Sequence, residues 1–258
     1  MAALPLDTIE TIVEIISIDY PQVLGPFSLV CHAFLPICRK RIFASVTLDT
    51  SCEKLFKRRI NLSCIPRIAF YIQDLYFGIS VTDFDDHTIP VAFKHFTRLQ
   101  SVKFVFISSF SKAKGPWSSS PLRLALLYLL RLPSLVSLQV YGIEGFILED
   151  LACCPNLQSL DLDRVEKLST APAAAPDAAI VLHSLSIDMG CSPMVVKVPG
   201  SRCADGQPLA NFSKLTKLQV SLAGEFNIHS SQALFSLCIY LTAVEISGTC
   251  IYLFLQCV

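Results

Sequence analysis

A short template, apolar-x-x-apolar-x-apolar, recurs eight times along the chain and limits what it can fold into. It occurs at Phe43/Val46/Leu48, Ile72/Leu75/Phe77, Leu99/Val102/Phe104, Leu135/Leu138/Val140, Leu157/Leu160/Leu162, Leu182/Leu185/Ile187, Leu215/Leu218/Val220 and Leu241/Val244/Ile246, with starts 22 to 36 residues apart. The last two apolar positions of each match are two residues apart, which places them on one face of a strand. In a chain that is 52% hydrophobic one match means little, but eight at roughly regular spacing mean more. Each unit is expected to add one parallel strand and one return segment, with neighbours sharing a continuous core. A conventional α/β sheet with longer crossovers fits the alternation too, but does not favour starts this close together.

Several returns read as helices. Pro121 suits a first helical position, followed by Leu122, Ala125, Leu126 and Leu129 at helical spacing. Ile147, Leu148, Leu151 and Ala152 repeat that spacing, as do Ala233, Leu234, Leu237 and Leu241 in the stretch from Ser231 to Tyr240. Pro133 and Pro155 stand just before the next template, where they stop a helix. Gly115–Pro121, Thr170–Ala179 and Ser192–Leu209 read as loops, the last with a small hairpin around Val195, Val196 and Val198. A period of 20–29 residues with L-x-x-L-x-L resembles the leucine-rich repeat. That family's asparagine ladder is missing, since Ile143, Val165, Ala223 and Thr249 stand at the positions three beyond the strand. The expected fold is therefore α/β, with residues 49–258 forming an irregular leucine-rich-repeat solenoid.

Residues 1–48 form a different unit, with more apolar surface than so short a segment can bury. Ile9, Ile12, Val13 and Ile16 make one helical stripe, and Asp7 with Glu10 resembles a capping box. Ile15 and Ile18 fall off that stripe at 100° per residue. Phe27, Val30, Cys31 and Phe34 give a second helix the same spacing, and Arg39-Lys40-Arg41 runs into Phe43. Leu4-Pro5, Ile12, Ile16, Leu29-Val30-Cys31, Phe34 and this basic run resemble the F-box motif, closest to the fungal kind in which the motif flows into a first strand. The resemblance covers about a fifth of the chain. Phe34 stands where many members carry Trp, and Asp7 where many carry Glu. The resemblance implies a three-helix unit that docks the Skp-type adaptor of a cullin ubiquitin ligase. It also implies that Leu4, Pro5, Ile12, Ile16, Leu29, Val30, Cys31 and Phe34 form or buttress the docking face.

Other functions find little footing. The 21 basic and 21 acidic residues balance, so no global field attracts nucleic acid. The clusters Arg39-Lys40-Arg41 and Lys54/Lys57/Arg58/Arg59 read as solvated faces. The 11 cysteines include no C-x-x-C pair, and the five histidines complete no zinc spacing, so no metal or cofactor is expected. Cys153-Cys154 is a vicinal pair expected at a helix end. Asp7, Glu10 and Glu14 do not suit a secretory signal, so reduced thiols in cytoplasm or nucleus are expected. No nucleophile elbow or H-E-x-x-H occurs, so the chain is read as non-catalytic. His32 reads as a packing or surface residue, and Asp83, Asp85, Asp86 and His87 as a polar loop without EF-hand spacing.

In the strand template the residue between the last two apolar positions and the one after them point away from the core. These are Lys103/Val105, Gln139/Tyr141, Asp161/Asp163, Ser186/Asp188, Gln219/Ser221 and Glu245/Ser247. The client face is expected around Gln139, Tyr141, Asp161, Asp163 and Asp188, acidic enough to favour a basic client. From Leu234 to Val258 only Glu245 is charged. Its length suits a membrane span, but the central Glu245 and the lack of basic flanks argue against one. The expectation is a last strand and a further apolar segment that stops before a natural polar cap. Two alternatives to ligase recognition remain: an interaction scaffold whose first helices are only a cap, and a membrane-tethered protein.

Overall fold

The structure is a computed structural model that describes residues 5–30, 32–48, 67–106, 117–165, 179–187, 208–222, 238 and 240–248. Its main feature is one sheet of eight parallel strands in the order β1-β2-β3-β4-β5-β7-β9-β10. The strands are β1 (Ser45–Leu48), β2 (Asp74–Ile79), β3 (Ser101–Phe106), β4 (Ser137–Tyr141), β5 (Ser159–Asp163), β7 (Ser184–Ile187), β9 (Lys217–Leu222) and β10 (Ala243–Gly248). In all eight templates the last two apolar positions lie on a strand. Their second apolar positions stand in one row, Val46, Leu75, Val102, Leu138, Leu160, Leu185, Leu218 and Val244, each in register with the next. The unslipped register follows from the pattern, because a shift of one residue would turn every apolar residue outward.

One backbone device repeats between strands. The carbonyls of Ala44, Gln73, Gln100, Val136, Gln158, His183 and Thr216 each accept two N–H groups from the next unit, at 2.7–3.1 Å. A carbonyl has two lone pairs, and here both are used. Side chains add further stitches: Ser134 Oγ donates to Leu99 O, and Asn156 Nδ2 donates to Pro133 O.

Under the sheet lies a continuous apolar core from Leu48 to Val220. Phe77, Phe93, Phe96 and Phe104 pack edge-on in one part of it; in another Phe84 packs edge-on against Phe106 and Trp117, and Trp117 lies tilted against Phe146. The returns are short. The helix at Pro121–Leu130 is as expected, with Ser120 as its N-cap accepting from Leu122 N and donating to Phe84 O. The segment around Ile147–Ala152 is a 3-10 helix at Leu148–Cys153 instead of an α-helix. A helix at Thr88–Phe93 was not expected. Trp117–Ser119 is a 3-10 turn with Trp117 buried, where a loop was expected. The Asp83 loop is a 3-10 turn at Val81–Asp85, with Ser80 N donating to the buried Asp83 carboxylate at 2.6 Å. A second, two-stranded parallel sheet joins β6 (Ile180–Val181) to β8 (Ala210–Asn211). The hairpin near Val195 and the helix before Tyr240 fall outside the described residues, save Cys238 and Tyr240 themselves.

The first residues form α1 (Leu6–Asp19), a 3-10 turn at Pro21–Val23, α2 (Leu24–Phe27) and α3 (Phe34–Ile42). They enclose a small core of their own, Ile9, Val13, Leu24 and Cys38, with Ile16, Phe27, Phe34 and Ile37 packed around it. Two expectations fail here. The α1 N-cap is Pro5, with no side-chain cap, so Asp7 and Glu10 form no capping box. Residues 27–34 are not one helix, because α2 ends at Phe27 and a turn carries Ser28 to Val30 before α3.

Candidate functional site

Two exposed faces are candidates for binding. The first is the outer side of the helical unit. The stripe on α1 divides as the wheel requires: Ile9 and Val13 are buried and Ile12 and Ile16 half-buried, while Ile15 and Ile18 are exposed, Ile18 to 74%. Of the residues expected to dock an adaptor, Pro5 is exposed, and Leu29 and Val30 stand 82% and 66% exposed on the turn before α3. Phe34 is half-buried and packs edge-on against Phe27 with ring centroids 5.0 Å apart. Ile16 and Phe34 thus brace the unit's core, Ile12 is half-buried beside them on the α1 stripe, and Leu29 and Val30 lie on the surface. Leu4 and Cys31 lie outside the described residues. Sequence spacing alone missed Leu6 and Tyr20, which are also exposed. Glu14 on α1 pairs with Arg41 on α3 at 3.0 Å, but both are largely exposed and such a pair is worth about 0–1 kcal/mol.

The second face is the side of the sheet away from the core. Across the strands its middle row reads Thr47, Tyr76, Lys103, Gln139, Asp161, Ser186, Gln219 and Glu245 in register. Asp161, Asp163, Gln139 and Tyr141 line one polar hollow of about 160 Å³ with Lys103, Ser186 and Gln219. Four of the five expected client-face residues therefore come together, and Asp188 lies outside the described residues. Val105, expected on this face, is buried, as is Ser221. The row before it was not anticipated: Ser45, Asp74, Ser101, Ser137, Ser159 and Ser184 stand in register one strand position earlier on this face. The signal was present, as a polar residue precedes the second apolar position in seven of the eight templates, Ala243 being the exception. Asp74 is exposed as a residue, yet partial desolvation of its carboxyl raises its pKa from the ordinary value.

Two turns follow the strands that line the hollow. Gly142, just after β4, has φ +72°, and its N–H donates to Asp163 O at 2.9 Å. A Cβ there would lie 2.7 Å from Phe106 O. Arg164, just after β5, has φ 49°, and its guanidinium lies 5.3 Å from the centre of the Tyr141 ring. That distance is within the range of a cation–π contact.

Among the described residues no three His, Cys, Asp or Glu side chains are grouped to hold a metal ion. The four described cysteines are thiols. Burial pushes Cys154 from the ordinary 9.0 up to about 12 and Cys238 up to about 11. Among the described residues no helix is long and apolar enough to cross a membrane.

What the fold and these faces define is an α/β protein with an eight-stranded parallel sheet and a small helical unit at its start. No family model matches the chain, and no curated protein is significantly similar to it.

Proposed function

We propose that this chain is a non-catalytic recognition subunit of a cullin ubiquitin ligase. In this reading residues 1–48 are an F-box-like unit that docks a Skp-type adaptor, and residues 49–258 are an irregular leucine-rich-repeat solenoid that presents a client. The observation that carries the reading is the contrast within the helical unit. Its own core is small, yet Ile15, Ile18, Leu29 and Val30 remain in water. Exposed apolar surface on so small a unit is stabilised when a partner covers it. Support for the solenoid comes from strand order: each unit adds one strand beside the last, with the same doubled carbonyl bond. The partner complex supplies all covalent chemistry in this scheme.

The test is capture of the full chain by a purified Skp-type adaptor and the adaptor–cullin pair. Replacing Leu29 and Val30 together by Asp is expected to reduce capture more than tenfold. Each apolar side chain is worth about 1.5–3 kcal/mol when buried, and 1.4 kcal/mol is a factor of ten. Equal capture of both proteins would sink the adaptor reading and leave the scaffold reading in its place.

A further inference from the structure

The open sheet face carries charges whose sign changes along it. Lys103 stands on β3, Asp161 on β5, Lys217 on β9 and Glu245 on β10. None of these four forms an ion pair among the described residues, where the pairs are Arg41–Glu14 and Arg123–Asp150. The hollow of about 160 Å³ around Asp161 continues into a second of about 200 Å³ lined by Lys217 and Glu245, and the two share Ser186 and Gln219. Together they make a trough across six strands, from β3 to β10. Neighbouring strands lie about 4.8 Å apart, so five steps give roughly 24 Å.

The register fixes the spacing of the charges. Lys103 pairs with Gln139, and Gln139 with Asp161, so the backbone positions that carry the two charges are two strand steps, or roughly 9.6 Å, apart. A polyproline II chain rises about 3.1 Å per residue with three residues per turn, so side chains i and i+3 share a face about 9.3 Å apart. A β-strand offers about 6.8 Å or 13.6 Å between side chains on one face, and fits worse. Lys217 lies two strand steps beyond Asp161, one outward row earlier, and reaches back on its flexible stem.

We propose that this trough binds an extended peptide lying across the strands in a polyproline II conformation, with an acidic residue at Lys103 and a basic residue three positions later at Asp161. Lys217 meets a second acidic residue beyond. The trough is long enough for about eight residues at that rise. The proposal deepens the client-presenting reading by naming the client's chemistry, but the peptide site does not depend on adaptor docking.

The experiment is selection of displayed random octapeptides on the folded full chain. The expected result is enrichment of Asp or Glu followed three positions later by Lys or Arg. A second selection uses the swap Lys103→Glu with Asp161→Lys, with folding checked by thermal unfolding. Lys103 is exposed and Asp161 half-buried on the open face, outside the apolar core, so the swapped protein is expected to fold. The swap should invert the preference to basic then acidic, and weaken a peptide selected on the native chain at least tenfold. Binding should also weaken as salt is added. No enrichment on the native chain, enrichment without this spacing, or a preference unchanged by the swap would overturn the proposal. Adaptor capture is measured on the same two proteins. Its loss in both with the peptide preference intact would refute docking alone.

Discussion

Replacing Asp150 by Ala is expected to destabilise the sheet domain by about 2–4 kcal/mol. Asp150, on the 3-10 helix at Leu148–Cys153, is buried and takes both arms of Arg123 from the helix at Pro121–Leu130: Nε at 2.8 Å and Nη2 at 2.7 Å. Arg123 also donates through Nη1 to Ser118 O at 2.9 Å. The hydrogen bond to Asp150 raises the Arg123 pKa, with desolvation opposing it. Breaking a fully buried pair by removing one partner costs about 3–5 kcal/mol. Here the Arg123 side chain keeps 22% of its surface, so part of its charge can return to water and the figure falls toward the lower end. Replacing both residues by apolar ones, Arg123→Met with Asp150→Leu, should recover most of the loss, because no charge is then left buried. Urea unfolding followed by fluorescence reads this directly, since Trp117 is the chain's one tryptophan and begins the turn that Arg123 binds. A change below about 0.5 kcal/mol for Asp150→Ala would place the pair among ordinary surface ion pairs. A double variant no more stable than the single would refute the desolvation argument.

Further outcomes follow from other parts of the molecule. Gly142→Ala should cost about 1–3 kcal/mol in the same assay, because it combines a left-handed φ with a Cβ 2.7 Å from Phe106 O; an unchanged midpoint would contradict that geometry. Leu138→Ala, at a buried site in the middle of the aligned row, should cost about 2–5 kcal/mol, whereas Ile18→Asp on the exposed side of α1 should leave the unfolding free energy within about 0.5 kcal/mol. The Cys154 thiol should resist alkylation in the native chain at neutral pH and react on unfolding. Its folded pKa of about 12 lies above the ordinary 9.0, so the unfolded chain ionises first and stability from this group is lost as pH rises from 9.0 toward 12. A flat stability profile for that window in a Cys154→Ser comparison would show that burial does not hold the proton.

The strands were legible because their signal is periodic and repeated. Leu138 and Val140 alone would be ambiguous, but eight such pairs in register leave only a parallel sheet. The polar sheet face was legible for the same reason, since alternation puts Gln139, Asp161 and Gln219 on one side. Burial on that face was not, because it depends on neighbours: Val105 has the position of an exposed residue and is buried. Short helices escaped for local reasons. Thr88–Phe93 has six residues with Pro90 inside, too short for a period to show. The apparent capping box failed because Pro5 starts α1 earlier than Asp7 would. The spacing of Phe27, Val30 and Phe34 suggested one helix, yet the chain turns at Ser28–Val30 and lifts Leu29 out into water. The Arg123–Asp150 pair joins residues 27 apart on two elements, and nothing in either segment marks it.

The central claim is that the small helical unit has its own core and offers its outer apolar residues to an adaptor. Hydrogen exchange of the full chain, with and without a purified Skp-type adaptor, tests this most directly. The account predicts slowed exchange concentrated in α1 and in the segment from Ser28 to α3, with the strands from β2 to β9 unchanged. No slowing in the helical unit, or slowing confined to the sheet, would contradict it.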